Sequence, residues 1–488
     1  MSHILFWNAV ALEANRRDFT DIPPGTEPLR EQGGPTLSSR ALAIIHLAMY
    51  DAHAGARGNP VSLPAYLPGL PPAGGAGPEA AVAGAAHRTL SVLYPGQQAE
   101  FDQALVDAGF PGPDPGVDYG RDVANAMLAD RGGDPGAGNA GHVHSMEPGR
   151  HRPDPVVPQG SHAPFYGEAS KCFAVAERHK LNLPPEKGSP EYNRALRQVR
   201  GKGIAPELMG GLPASYSNAT SEASKRTPDE TLIGIFWAYD GARNLGTPPR
   251  LYNQIAREVA KLKNTGPSAD DKNSRLFALI NAAMADAGIL AWDDKYDYDV
   301  WRPVVGIREH DSSMGPAAPA PGDSIDADCD PEWRPLGAPN SNAKAGKDST
   351  PNFPAYPSGH ATFGAAALHM IRLFYNVPLG DRAPDAVFKG PFISDEQNGK
   401  STDTRGAVRA NHARKFDGGL WQMILENGFS RVYLGVHWFF DAFALKADGT
   451  PDLTQMVGGV PLGLKIAEDI WTFGDRKAPK KSPAGPRL

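Results

Sequence analysis

An all-α fold with two packed helical bundles is what this sequence predicts, and three observations carry the prediction. Apolar residues recur mainly at helical spacing, while period-two strand patterns are few and no short repeat is present. The 54 glycines and 47 prolines cluster between the periodic runs, which makes the connections long and irregular. At 488 residues and 41% apolar content, the chain can bury one large core or two adjoining ones.

In chain order, Ser38 and Ser39 precede a run over 40–56 in which Leu42, Ile45 and Met49 share a face. An alanine-rich helix follows Gly77 and stops before Pro95, and shorter helices are predicted over 97–108 and 119–130. Residues 132–167 turn to Gly, Pro and His and read as a long loop, with two more helical pieces over 174–182 and 190–202. Thr227-Pro228-Asp229-Glu230 combines an N-cap, a proline at the first helical position and a capping-box glutamate, so a helix should run from there to about 240. Pro248-Pro249 opens another helix to about 263, and 274–292 is a long apolar one that leads through 293–301 to Pro303. After a loop over 306–351, helices are predicted at 360–375, 416–427 and 435–445. The expected domains are 1–225 and 226–476, followed by a basic, proline-rich tail over 477–488 that should be mobile.

The formal charge of −6 argues against nucleic acid or an anionic membrane as partner. No apolar stretch reads as long enough to span a bilayer. The segment 1–15 lacks a basic leader and a small-residue cleavage site, so no secretory signal is read. Cys172 and Cys329 form no disulfide framework; two thiols are the simpler expectation, though the fold decides whether they pair. This usage favours a cytoplasmic protein and leaves secretion open. Oligomeric state is not readable from the sequence.

Three strings near the C-terminal end carry the chemistry: Lys295 with Arg302-Pro303, Pro357-Ser358-Gly359-His360, and Ser430-Arg431 with Gly435, His437 and Asp441. Lys295, Arg302 and Arg431 would neutralise a multiply charged oxyanion, the arginines offering forked donors. Ser358 and Gly359 precede a helical run and place a hydroxyl and a backbone N–H at a helix N-terminus, which favours anions. One histidine can bond a central atom while the other moves protons. Lys295 and Arg302 are seven apart and share a face if the helix continues, although Pro303 puts the arginine at a helix end. Arg431 and His437 are six apart, which is no helical repeat; they converge only if Arg431 precedes the helix or Gly435 allows close packing. His437 and Asp441 are four apart, so Asp441 can accept from the far ring nitrogen and fix the tautomer.

These strings resemble the signature shared by vanadium-dependent haloperoxidases and type 2 phosphatidic-acid phosphatases. Ile4-Leu5-Phe6-Trp7-Asn8, Ser161-His162-Ala163-Pro164-Phe165-Tyr166-Gly167, Phe236-Trp237-Ala238-Tyr239-Asp240-Gly241 and Asn352-Phe353-Pro354-Ala355-Tyr356 are similar to vanadium chloroperoxidase segments and place the chain nearer the haloperoxidases. The resemblance implies two four-helix bundles with the anion site in the second. It implies vanadate as cofactor, with phosphate able to occupy the same site, and hydrogen peroxide, halide and a small organic acceptor as reactants. It assigns Lys295, Arg302, Ser358, Gly359 and Arg431 to the vanadate oxygens, His437 to the metal, His360 to acid–base work and Asp240 to pairing with Arg431. The chemistry then expects Lys295 also to act in catalysis by polarising bound peroxide.

Trp292 and Phe353 match an aromatic pair that the chloroperoxidases have beside vanadate, where bromoperoxidases tend to have histidine at the second position. A dry aromatic wall lowers the cost of desolvating halide, so chloride as well as bromide is expected to react. A phosphatase using His437 as nucleophile, and a non-catalytic oxyanion binder, are the rival readings. His142, His144 and His151 give a weak metal signal without cysteines or a convincing carboxylate, and the loop reads better as structural or lid-like.

Overall fold

A computed structural model describes residues 2–20, 30–73, 75–158, 160–217, 224–309, 329–343 and 346–487. The predicted loop over 306–351 therefore lies partly outside the described residues. The protein is mostly helical, as predicted. Its first half holds α1 (His3–Asp18), α2 (Gly34–Ala56), α3 (Pro78–Leu93), α4 (Gln98–Asp107), α5 (Pro115–Asp130), α6 (Tyr166–Ala169) and α7 (Pro190–Lys202). The second half holds α8 (Pro228–Phe236), α9 (Pro248–Lys263), α10 (Ala269–Tyr298), α11 (Pro303–Arg308), α12 (Gly359–Phe374), α13 (Gly419–Tyr433) and α14 (Gly459–Phe473). Beside short 3-10 turns, the described residues hold two antiparallel ribbons: β1 (Pro391–Ile393) with β2 (Ala413–Lys415), and β3 (Ala444–Leu445) with β4 (Pro451–Asp452).

The helices pack as two groups that share α10. On one side α2 lies against α3, α5 and α10; on the other α12 lies against α10, α13 and α14. Helix α10 runs 30 residues, and its burial explains its apolar composition. By length and composition it could cross a membrane, contrary to the reading that no stretch is long enough, but 94% of that window is buried inside the protein. One apolar cluster spans both halves of the chain among the described residues, from Ile4 to Ala478.

Helix starts follow their caps. The Thr227 hydroxyl accepts from the Glu230 N–H at 3.2 Å, and the Glu230 carboxylate accepts from the Thr227 N–H at 2.7 Å, which completes the predicted capping box. Helix α8 stops at Phe236, short of the expected end. Two other expectations are corrected. Residues 174–182 form no helix, because the Asp286 carboxylate of α10 accepts from the N–H groups of Phe173, Ala174 and Val175 at 2.5, 2.7 and 2.9 Å. Residues 435–445 hold a short 3-10 turn at Phe439–Asp441 and the strand β3 in place of an α-helix.

The basic tail is strapped down. Ser482 donates its N–H to Phe173 O at 2.8 Å, Ala484 O accepts from Cys172 at 2.9 Å, and Arg487 donates to Glu168 O at 2.8 Å. Burial of Cys172 and Cys329 comes without a disulfide between them. His142, His144 and His151 meet edge-to-face at centroid distances of 5.2 and 5.5 Å, and no metal-competent group occurs among the described residues.

Candidate active site

The three strings come together because each is tied to the others through the backbone. Helix α10 carries Lys295 and ends at Tyr298; its C-cap, Asp299, takes φ +51° and turns the chain back. Arg302 is then the N-cap of α11, so the two cations meet from different elements and not along one helix face. Lys295 Nζ donates to the carbonyls of Pro354, Ala355 and Pro357, which pins the loop before α12. Arg302 donates from Nε to Phe353 O at 2.8 Å and from Nη1 to Val436 O at 2.7 Å. Ser358 is the N-cap of α12, and its own N–H reaches Asp441 O at 2.8 Å. Gly359 and His360 follow in the first turn.

Arg431 lies inside α13, and the turn that brings His437 beside it is made by Gly435. Gly435 has φ +74°, and a Cβ there would lie 2.4 Å from Gly203 O, so only glycine closes this helix end without strain. The Asp441 carboxylate accepts from His437 Nδ1 at 2.7 Å and from the Trp438 N–H at 2.9 Å. The spacing of four thus works through a 3-10 turn. With the hydrogen on Nδ1, His437 Nε2 keeps its lone pair, and Arg302 Nη1 donates to it at 2.9 Å.

His360 is set differently. Its Nε2 lies 2.5 Å from Ala238 O, an acceptor only, so Nε2 carries the hydrogen and Nδ1 is the basic atom. Its own carbonyl accepts from Tyr252 Oη at 3.0 Å and Asn427 Nδ2 at 2.7 Å, which fixes the first turn of α12. Arg431 makes a forked pair with Asp240 at 2.7 and 3.0 Å, and Asp240 Oδ1 is 3.8 Å from His360 Nε2.

A cavity of about 450 Å³ opens onto this cluster and is lined by Asp240, Gly359, His360, Arg431, His437, Trp292 and Phe353 among others. Lys295, Arg302 and Ser358 stand behind that lining, each exposed by 1% or less. Burial, with Arg302 beside it, holds the Lys295 ammonium well below its ordinary value. Burial pushes Arg302 down to about 9 and, with the Arg431 charge, His360 down to about 3. Burial and then Arg302 and Lys295 hold His437 well below the histidine range, while burial raises Asp441 to about 7. Three buried cations thus face two carboxylates, one of them reluctant to ionise. Arg302 Nη2 and Arg431 Nε are buried without a partner. Uncommitted guanidinium donors in an excess of buried positive charge fit a tetrahedral or bipyramidal oxyanion such as vanadate or phosphate.

The aromatic wall is present. Trp292 and Phe353 lie 4.8 Å apart between centroids, with Lys295 Nζ 5.1 Å and Arg302 Cζ 5.0 Å from the Phe353 ring. Another part of the lining was not legible from spacing: it comes from the N-terminal half and includes Arg30, Gly33, Gly34, Pro35 and His162. Only the string around His162 hinted at it, and that string gave the ring no role.

Comparison with known proteins bears on the family and fold of the whole chain. Residues 1–108 match the family model of the vanadium chloroperoxidase N-terminal domain, and residues 275–450 match that of the VCPO second helical-bundle domain. A bacterial vanadium-dependent iodoperoxidase structure shares the fold with a TM-score of 0.62 at 20% identity, over 97% of this chain and 96% of that one. A holo-type bacterial vanadium-dependent chloroperoxidase does so with a TM-score of 0.62 at 15% identity, over 93% and 95%. The vanadium chloroperoxidase of Curvularia inaequalis is 34% identical, with 98% of this chain and 91% of that protein covered. Matched nearly end to end at that identity, the chain belongs to the vanadium chloroperoxidase family.

Proposed function

We propose that this protein is a vanadate-dependent haloperoxidase that oxidises bromide and chloride with hydrogen peroxide to hypohalous acid, which halogenates small organic acceptors. Vanadate, peroxide and halide follow from the family; chloride competence, the acceptor and the residue roles are the proposal. The observation that carries the roles is the His437 ring, locked by Asp441 with its Nε2 lone pair at the edge of a buried cationic cage.

Bound vanadate supplies a Lewis-acid centre that activates peroxide toward halide without a change in metal oxidation state. His437 Nε2 is assigned to the metal, with Asp441 holding the tautomer. Arg302 and Arg431, the Ser358 hydroxyl and the Gly359 N–H are assigned to the oxyanion, and Asp240 fixes the Arg431 fork. Lys295 has all three donors on carbonyls, so its share is charge unless it exchanges one of those bonds. His360, kept neutral by burial and the neighbouring Arg431 charge, takes a proton from incoming peroxide at Nδ1. Trp292 and Phe353 exclude water where the halide reacts.

The test is bromination and chlorination of an activated diketone by metal-stripped protein with peroxide, before and after orthovanadate. Activity that requires vanadate, with chloride used as well as bromide, is the expected result. A stripped protein that ignores vanadate but hydrolyses a phosphate monoester would make the cage a phosphatase site.

A further inference from the structure

The part of the cavity lining that comes from the N-terminal half has the marks of a second, smaller anion site. Helix α2 begins there, and its N-cap, Gly33, supplies no side-chain cap. Pro35 has no N–H, so the Gly34 and Thr36 N–H groups are the donors of this first turn, at the positive end of a 23-residue helix. Gly33, Gly34 and Pro35 line the cavity.

Two further observations point to a ligand at this helix end. His162 Nε2 is buried without a partner and aims at the start of α2: a Cβ on Gly34 would lie 2.0 Å from it. Thr36 is fully buried, and its hydroxyl also lacks a partner. Orphaned buried polar atoms are uncommon and call for an explanation. The His162 backbone is fixed to the aromatic wall, because its carbonyl accepts from Trp292 Nε1 at 3.3 Å and Tyr296 Oη at 2.7 Å. Its ring is 6.4 Å from that of Phe353. The Arg30 side chain lines the same corner and adds positive potential.

We propose that the start of α2 and the His162 ring form the halide subsite of this enzyme. Chloride or bromide takes hydrogen bonds from the Gly34 and Thr36 N–H groups and from His162 Nε2, and lies against the Trp292–Phe353 wall. One uncapped helix turn suits a single negative charge, whereas the cage, with three cations, suits a multiply charged one. The aromatic face suits an ion that sheds water easily. Burial and the Arg30 charge push His162 down to about 4, which keeps the ring neutral, and a neutral imidazole still offers one N–H. The inference rests on the haloperoxidase reading, and it assigns halide recognition to the N-terminal half of the chain.

Steady-state kinetics of the vanadate-loaded protein tests it, with His162→Phe, His162→Gln and Thr36→Val. His162→Phe keeps the ring volume but removes the donor and should raise the halide KM about tenfold, the loss of one bond to a charged group. That rise should exceed any fall in kcat, with peroxide KM and vanadate affinity unchanged. His162→Gln should recover most of the loss, and Thr36→Val should raise the halide KM less than His162→Phe does. Chloride-35 line broadening by the full-length protein reads the subsite directly and should fall in His162→Phe. An unchanged halide KM and unchanged broadening in His162→Phe overturn the proposal, as does a loss of kcat and peroxide KM together. Should His162→Phe fail to fold, His162→Leu, which also removes the donor, takes its place, and an unchanged halide KM with unchanged broadening in it overturns the proposal. If the wild type shows no vanadate-dependent halogenation, the haloperoxidase reading fails. The line broadening then decides alone whether an anion binds here.

Discussion

At the scale of single residues, the site depends on where two hydrogens sit. His437 and His360 have opposite tautomers because their neighbours are opposite in kind: a carboxylate accepts from Nδ1 of the first, a carbonyl from Nε2 of the second. One ring therefore turns a lone pair toward Arg302 from Nε2, and the other keeps its basic atom at Nδ1. Asp441 is the residue most directly responsible, since it also holds the Trp438 N–H and thereby the turn. Asp441→Asn keeps the shape and removes the charge that stabilises the Nδ1 hydrogen. Loss of such a partner costs about tenfold to a hundredfold in metal affinity, and orthovanadate affinity should fall by that much. Titration followed by protein fluorescence measures it; an unchanged affinity would show that the tautomer is fixed by packing alone.

At the scale of elements, a helix matters for where it stops as much as for what it carries. The α13 end at Gly435 converts a spacing of six, which no helix brings together, into a convergence of Arg431 and His437. Gly435→Ala forces a side chain into φ +74° and against Gly203 O, so it should destabilise the fold by about 1 kcal/mol or more. Denaturant unfolding measures that loss, and a further fall in orthovanadate affinity should accompany it; unchanged stability and affinity would refute the argument. This joint is where the sequence reading failed, because the helix expected over 435–445 ignored how the turn uses its N–H groups. Helix α14 was also missed. Gly459 and Gly463 pass the backbone of α12 closely, since a Cβ there would lie 2.5 Å from Ser358 O or 2.4 Å from Thr362 O, and glycines with a proline look like a loop in isolation. The capped starts at Thr227 and Ser358 were legible, because a cap and its helix are local in sequence. The site residues were legible as types in short strings. Their partners across the fold, such as Asp286 with 173–175 or Tyr252 with His360, leave no local trace.

At the scale of the whole molecule, α10 carries Trp292 and Lys295 while packing on both groups of helices, so the cavity forms at their seam. Closing that seam buries histidines that prefer to be neutral. His360 falls to about 3 and His46 and His162 to about 4, each chiefly through burial. An unfolded histidine binds its proton near pH 6.5, so the unfolded chain takes up protons that the native one refuses. Each such group contributes stability that is complete above that value and is lost as pH falls toward the folded pKa. Buried acids oppose this between about pH 4 and 7. Asp51, Asp294, Glu396 and Asp441, all raised to about 7 chiefly by burial, hold protons better in the fold and lose that advantage as pH rises. The two sets offset each other in mild acid and part company below about pH 4, where His360 and the carboxylates held below their ordinary value by ion pairs, such as Glu468, still respond. Denaturant midpoints should therefore change little from pH 6.5 to 4.5 and drop below 4, with the histidine share isolated by His360→Gln. Removing that one group should lessen the stability lost on acidification by about 1.4 kcal/mol per pH unit between 6.5 and 3. Parallel curves for the variant and the wild type would mean that His360 keeps its ordinary proton affinity in the fold, and the neutral base assigned to it would have to be sought elsewhere.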